Sequence, residues 1–180
     1  MPSVYLSPSL QEWNPYIDGG NEEYYMNLIA DAMEPYLRAS GIDFKRNSPE
    51  MTLRQAIADS NSGNYDLHLA IHSNASGENS AGKNRGAEVY YYPASAKGKN
   101  FADTLAANFS DIYPIPEKVR TIPATTLGEL RLTRAPASLI EVAYHDNIDD
   151  ARWIRENINA IAKNLSKSVA ETLGVPFKEP

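Results

Sequence analysis

Two polar side chains stand out because they lie within apolar segments. Glu141 is the only charged residue in the run 138–144 (Ser-Leu-Ile-Glu-Val-Ala-Tyr), and His72 ends the strand-like run 65–71. A buried carboxylate costs several kcal/mol unless it is paired, hydrogen-bonded or bound to a metal. Neutral imidazole is the commonest metal ligand in proteins. The pair indicates a general base and a metal ligand at strand ends, the alternatives being a solvent-facing edge-strand Glu and a structural His.

Other titratable residues have competing interpretations. His68 precedes His72 by four residues. In a strand the two side chains share a face, but they stand roughly 13 Å apart at about 3.3 Å per residue. They cannot bind one ion, so we assign His68 to the core or to support of the site. Glu22 and Glu23 open a helical segment, where they either complement the helix dipole or turn back to supply a ligand.

The remaining histidine, His145, follows the Glu141 segment in the sequence Tyr-His-Asp-Asn. Asp146, Asn147 and Asp149 all suit the N-cap of a following helix. We interpret this stretch as a capping turn, with substrate contact by His145 as the alternative.

The elements that must position these residues alternate along the chain. Helical spacing and apolar runs predict strands at 4–6, 42–46, 66–71, 87–92 and 137–143 and helices at 22–40, 52–61, 95–111 and 150–173. We read residues 73–85 as a polar loop and residues 112–136, with four prolines, as a long irregular segment. The pattern predicts one α/β domain over residues 1–180, with its core at about 3–174 and a mixed, twisted central sheet flanked by helices on both faces.

Two local predictions concern the first two helices. Pro35 should kink or shorten the first helix, and Gly41 should stop it. Thr52 should cap the second helix, with Leu53 and Ile57 facing the core.

Composition excludes several classes of protein. The chain has 180 residues, a net charge of −6 and no cysteine. No run approaches the roughly 18 apolar residues that span a bilayer, so we expect no membrane insertion. The acidic balance argues against nucleic-acid binding. Residues 1–6 lack the features of a signal peptide, so we expect unusual export or a domain of a larger protein.

The order of the motifs resembles the zinc-dependent N-acetylmuramoyl-L-alanine amidases, the cell-wall lytic family of autolysins and phage endolysins. The resemblance runs from Val4 to about Leu173. The most specific matching pieces are His-Ser-Asn-Ala at 72–75 and Leu-Ile-Glu at 139–141; the others lie at 6–9, 22–23, 53–61, 66–67, 86–91, 136–138 and 147–150.

The resemblance implies a bound Zn²⁺, with His72 as a ligand and Glu141 as the catalytic carboxylate. It implies Glu22 as a second ligand, with Glu23 as the rival. The family's first His is missing, because the chain reads Ser-Pro-Ser-Leu-Gln-Glu at 7–12. Gln11 is our candidate replacement, with Glu12 or water as alternatives.

The function implied is hydrolysis of the amide bond between N-acetylmuramic acid and L-alanine in peptidoglycan, at the cell wall outside the cell. The rivals are a degenerate, metal-free peptidoglycan-binding domain on the same fold and a related zinc peptidase. The expected partner is peptidoglycan or a muropeptide, with wall-binding domains outside this chain as an addition. We expect the segments 73–85 and 112–136 to line the groove, where Arg120, Arg131 and Arg134 contact peptide carboxylates or lie free in solvent.

Overall fold

The computed structural model describes all residues from 1 to 180 and contains six strands and six helices. The strands are β1 (Ser3–Pro8), β2 (Asp43–Arg46), β3 (Leu67–Asn74), β4 (Ala87–Tyr91), β5 (Val119–Pro123) and β6 (Ala137–Tyr144). The helices are α1 (Glu22–Ala39), α2 (Leu53–Ser62), α3 (Ala96–Phe109), α4 (Gly128–Arg131), α5 (Ile148–Glu156) and α6 (Ile158–Leu173). None of these helices combines the length and the apolar character that crossing a membrane requires.

All six strands form one mixed sheet in the order β2-β1-β3-β6-β4-β5. The first four of these run parallel, whereas β4 is antiparallel to β6 and parallel to β5. This arrangement confirms the predicted single α/β fold with a mixed sheet. Because β1, β3 and β6 are parallel neighbours, their carboxyl ends meet at one edge of the sheet.

The two faces of the sheet are covered unequally. The larger hydrophobic cluster unites one face with α1, α3, α5 and α6. The other face carries a small cluster in which Leu130 of α4 packs on Ala70, Ala137 and Leu139. Since side chains alternate along a strand, His68, His72 and Glu141 share this less covered face. The fold therefore leaves space over the sheet where the candidate site residues stand.

The first helix forms as predicted but is not shortened by its proline. Pro35 lies inside α1, which continues to Ala39. Gly41, with φ +70°, then reverses the chain, and the Ile42 amide donates to the Leu37 carbonyl oxygen at 2.9 Å. The left-handed conformation that favours glycine is what ends the helix.

One predicted core position of α2 is wrong. Thr52 caps this helix in a capping box with Gln55, and Ile57 is buried as expected. Leu53, however, is half exposed because it begins the helix at the rim of a surface cavity.

Two predicted boundaries are also corrected. The segment 112–136 contains β5 and α4; β5 is an edge strand that pairs only with β4, and its last residue is Pro123. An edge position tolerates a proline that a central strand would exclude. The predicted last helix is two helices, interrupted at Asn157, whose side chain donates to the Trp153 carbonyl oxygen at 2.8 Å.

Candidate active site

His72 and Glu22 meet at the carboxyl edge of the sheet, although they are 50 residues apart in the chain. β3 carries His72 to this edge, and α1 begins there with Glu22. The backbone amide of Glu22 donates to the Asn14 carbonyl oxygen at 2.9 Å, which fixes the start of the helix. As a result, Nδ1 of His72 lies 2.9 Å from Oε1 of the buried Glu22.

Gln11 joins this pair through Asn14. The side-chain amide nitrogen of Asn14 donates to Oε2 of Glu22 at 2.8 Å and to Oε1 of Gln11 at 2.7 Å. Two of the oxygens proposed as ligands are thereby grouped around one nitrogen. The rival residues Glu12 and Glu23 line the same neighbouring cavity as Gln11, but no side-chain hydrogen bond joins either of them to Glu22 or His72.

Glu141 stands beside His72 on the neighbouring strand. β6 pairs with β3 so that Glu141 is in register with His72, and β4 places Glu88 opposite Glu141 on its other side. Oε2 of Glu141 is buried and has no hydrogen-bond partner. Burial raises the pKa of Glu141 to about 7, assisted by the negative charges of Glu22 and Glu88 and opposed by His72. A carboxylate with such a pKa can accept and return a proton near neutral pH.

A fourth carboxylate, Glu129 of α4, lies on the side of His72 opposite Glu22. Its Oε2 is 3.4 Å from Nε2 of His72, and its Oε1 is 3.0 Å from Nε2 of His68. Oε1 also accepts the hydroxyl of Ser7. Glu129 is not among the predicted site residues, although the sequence offers one signal for it: a lone carboxylate between two leucines, Leu127 and Leu130, in a segment predicted to be irregular.

The hydrogen bonds among these groups set their charge states. Burial opposes ionisation of Glu22 and Glu129, but the hydrogen bonds from the histidines outweigh it and hold the pKa of both carboxyls below their usual range. Burial opposes protonation of His72, yet its bonds to Glu129 and Glu22 hold its pKa well above the ordinary value. Without a bound cation, these two carboxylates therefore favour the protonated form of the imidazole.

His145 lies in the predicted capping turn, and its side chain also supports the site. The cap of α5 is Asn147, whose side chain accepts the amides of Asp149 and Asp150. His145 is buried, with Nδ1 2.9 Å from the hydroxyl oxygen of Ser73. The amide of Ser73 in turn donates to Glu22 at 3.4 Å.

A cavity of about 830 Å³ opens beside the site. Its walls come from residues 7–13, 49–53 and 127–129, together with Glu23, His72 and Leu139. The predicted contribution of the segment 112–136 is thus present through its last part. No residue of the loop 73–85 lines this cavity.

The three arginines of the predicted groove lie outside this cavity. Arg120 pairs with Glu88 at 2.5 Å, on the far side of Glu141. Arg131 and Arg134 are exposed to solvent. None of them contacts Glu22 or His72.

The donor atoms at the edge of the sheet suit a small divalent cation in their chemistry. Nδ1 of His72 faces Oε1 of Glu22, and the side chain of Asn14 links the other oxygen of Glu22 to the amide oxygen of Gln11. No group of three or more histidine, aspartate and glutamate side chains has the arrangement of a metal centre. A cation at this position would depend on the uncharged Gln11 or on water for its remaining ligands.

Comparison with known proteins identifies the fold and the family. The model of the Amidase_3 family, described as N-acetylmuramoyl-L-alanine amidase, matches residues 13–171. No curated protein matches the chain in sequence.

Three solved structures illustrate the likeness. The amidase AmiC2 of Nostoc punctiforme is 19% identical with a TM-score of 0.84, covering 96% of this chain and 97% of its own. The catalytic domain of the amidase CwlV from Bacillus (Paenibacillus) polymyxa is 21% identical with a TM-score of 0.83, and the match covers 98% of this chain and 100% of that domain. Cwp6 from Clostridium difficile is 25% identical with a TM-score of 0.82 over 95% of this chain and 29% of its own.

The family match spans most of the chain, and the shared fold brings Glu22, His72 and Glu141 to one edge of the sheet. The chain therefore belongs to the Amidase_3 family of N-acetylmuramoyl-L-alanine amidases, enzymes that act on peptidoglycan.

Proposed function

We propose that this amidase cleaves the bond between the lactyl group of N-acetylmuramic acid and L-alanine with Glu141 as general base and Zn²⁺ as cofactor. The observation that carries the proposal is the juxtaposition at the sheet edge. Nδ1 of His72 and Oε1 of Glu22 lie 2.9 Å apart, and the neighbouring strand places the unpartnered, buried Oε2 of Glu141 beside them.

The donor set supports zinc over harder cations. Zinc readily takes imidazole nitrogen together with carboxylate oxygen, and catalytic sites have three protein ligands and one open position. His72 and Glu22 supply the first two ligands, and we propose the amide oxygen of Gln11 as the third. An amide oxygen carries no charge, so we expect weaker zinc binding than a second histidine would give.

The chain's own residues account for the proton transfers. When bound, zinc supplies a Lewis acid that polarises the scissile carbonyl and lowers the pKa of water toward about 7. Glu141 accepts a proton from the attacking water as the new carbon–oxygen bond forms. It then delivers that proton to the nitrogen of L-alanine as the carbon–nitrogen bond breaks. The products are the lactyl carboxylic acid and the stem-peptide amine, and transfer of the acid proton leaves them as carboxylate and ammonium.

The cavity beside the site offers room for the substrate. Its volume of about 830 Å³ is within the range of known ligand sites. Trp13 is largely exposed at its wall and provides an aromatic face for a sugar or peptide. We therefore propose that part of the muropeptide lies between the segment 7–13 and the start of α2.

The setting follows from the substrate. An enzyme that cleaves peptidoglycan acts at the cell wall, so we propose extracellular action on wall or muropeptide. Wall-binding domains linked to this chain are compatible with that role and would add affinity for the wall.

The decisive variant is Glu141→Gln, which removes the base and retains the shape of the side chain. We expect it to bind about one zinc per chain but to release no peptide from defined muropeptides, a loss of about 10²–10⁴-fold or more. The exposed Glu156→Gln serves as the matched control and should retain full activity. Unchanged hydrolysis by Glu141→Gln would refute the assignment of the base.

Metal content separates the enzyme from the metal-free wall-binding domain. The absence of a three-residue His/Asp/Glu cluster is the observation that keeps this second possibility open. We expect chelator to remove zinc and activity together and added zinc to restore both. A chain that holds no zinc at saturation yet binds wall would instead be a binding domain, and cleavage of peptide bonds only would indicate a peptidase.

A further inference from the structure

Glu129 lies opposite Glu22 across the ring of His72. Nδ1 of His72 faces Glu22 at 2.9 Å and Nε2 faces Glu129 at 3.4 Å. The two nitrogens point away from each other, so one metal ion cannot take His72 together with both carboxylates. One carboxylate can therefore bind the metal together with His72, and the other can only accept a hydrogen bond from the opposite ring nitrogen.

The hydrogen bonds around the two carboxylates indicate which one lies on the metal side of the His72 ring. Oε1 of Glu129 already accepts the hydroxyl of Ser7 and Nε2 of His68, which leaves Oε2 for His72. Oε2 of Glu22, by contrast, is linked through the side chain of Asn14 to the amide oxygen of Gln11, on the side proposed for the metal. Glu129 therefore faces the nitrogen that the metal does not use.

Glu129 is held rigidly for this task. A carboxylate oxygen only accepts hydrogen bonds, so Nε2 of His68 carries a hydrogen and is the donor to Glu129. Nδ1 of His68 lies 2.9 Å from the hydroxyl oxygen of Ser60 in α2, and its ring stacks on Tyr5 at 5.4 Å. Both Glu129 and His68 are buried, at 4% and 0% exposure. The sheet and α2 thus fix the carboxylate before any ligand binds.

We propose that Glu129 is a positioning residue. It accepts a hydrogen bond from the Nε2–H of His72 and thereby presents Nδ1 of His72 to the zinc ion. This inference rests on the zinc dependence proposed above. Partners of this kind fix the tautomer of a ligating histidine and increase its basicity, and their loss typically weakens metal binding by about 10- to 100-fold. Glu129 would thus compensate in part for the weak ligand Gln11.

The first experiment measures zinc affinity by competition with a chromogenic chelator, using the full chain. We expect Glu129→Gln to bind zinc about 10- to 100-fold more weakly than the unmodified chain, and the exposed Glu156→Gln to bind with unchanged affinity. Circular dichroism and urea unfolding of the zinc-free proteins show whether the fold is retained. Equal zinc affinity in a folded Glu129→Gln protein would overturn the inference and leave the amidase assignment intact.

The second experiment needs no variant at position 129 and decides the question if Glu129→Gln does not fold. In ¹⁵N NMR of the zinc-loaded, ¹⁵N-histidine-labelled chain, we expect Nδ1 of His72 to carry the metal and Nε2 to retain a slowly exchanging proton. His68→Gln and His145→Gln assign the three ring signals. Zinc on Nε2 of His72 would refute the inference, whereas no zinc uptake by the unmodified chain would refute the proposed cofactor itself.

Discussion

Glu141 must satisfy two opposing demands. As a base it has to be ionised near neutral pH, but its surroundings resist ionisation and raise its pKa from 4.5 to about 7. Above pH 7 the carboxylate is charged in both the folded and the unfolded chain, so folding has to bury a charge. Below pH 4.5 it is protonated in both states and this cost disappears.

We therefore predict that Glu141→Gln stabilises the zinc-free protein while it abolishes activity. The pKa difference sets an upper limit of about 3 kcal/mol at pH 8, at about 1.4 kcal/mol per unit, and the gain should shrink as the pH falls toward 5. Urea unfolding of the two proteins at pH 8, 6.5 and 5 measures it. Glu156→Gln should show no pH-dependent gain, and a Glu141→Gln gain that is absent at pH 8 would contradict the proposed burial cost.

At the residue scale, the sequence was enough to predict the polar residues that interrupt apolar runs. It was not enough to predict Glu129, which hydrogen-bonds to two of the histidines. Glu141 and His72 could be predicted because a polar side chain in a strand of apolar residues needs a reason to be there. Glu129 could not, because its partners Ser7 and His68 are 122 and 61 residues away in the chain. Only the parallel pairing of β1 with β3 brings those partners together.

At the element scale, prediction succeeded where local physical signals were strong. Periodic apolar residues and caps located α1, α2 and α3 to within one to two residues. It failed for β5, whose five residues pair only with the neighbouring β4, and for the four-residue α4. Such short elements are stabilised mainly by tertiary contacts, so their own sequence carries little information. The missed α4 is the element that carries Glu129.

The contact between α3 and the start of β6 gives a prediction at this scale. Gly98 lies so close to β6 that a Cβ would stand 2.9 Å from the Ala137 carbonyl oxygen and 2.9 Å from Oγ of Ser95. Its own carbonyl oxygen accepts the hydroxyl of Ser138 at 3.0 Å. We expect Gly98→Ala to force the helix and strand apart and to destabilise the protein by about 1–3 kcal/mol.

The control for this prediction is Gly77→Ala. No atom lies within 4 Å of the Cβ that this change would add, and φ at this residue is −63°, which alanine adopts freely. We expect a change of less than about 0.5 kcal/mol. Equal unfolding free energies for the two alanine variants, measured in urea, would show that α3 has room to move away from β6.

At the scale of the whole molecule, charge sets how the catalytic domain approaches its substrate. The chain carries a net charge of −6, and cell walls are often anionic as well. Like charges reduce the rate of encounter, and salt screens that repulsion beyond a Debye length of about 10 Å at 0.1 M. The repulsion acts on the intact wall and much less on a small muropeptide.

We therefore predict that hydrolysis of anionic walls accelerates as salt rises from about 10 to 150 mM, by about 2- to 10-fold, because screening restores the encounter rate. Release of peptide from intact walls and from a small muropeptide, assayed in parallel, provides the comparison.

Asp111→Lys combined with Glu156→Lys changes two exposed positions away from the active site. Each replacement adds two positive charges, so the net charge becomes about −2. This double variant should digest walls faster at low salt and respond less to added salt, with unchanged muropeptide hydrolysis. A salt response of equal size on both substrates would instead place the effect in the active site, where Glu22, Glu129 and Glu141 surround His72.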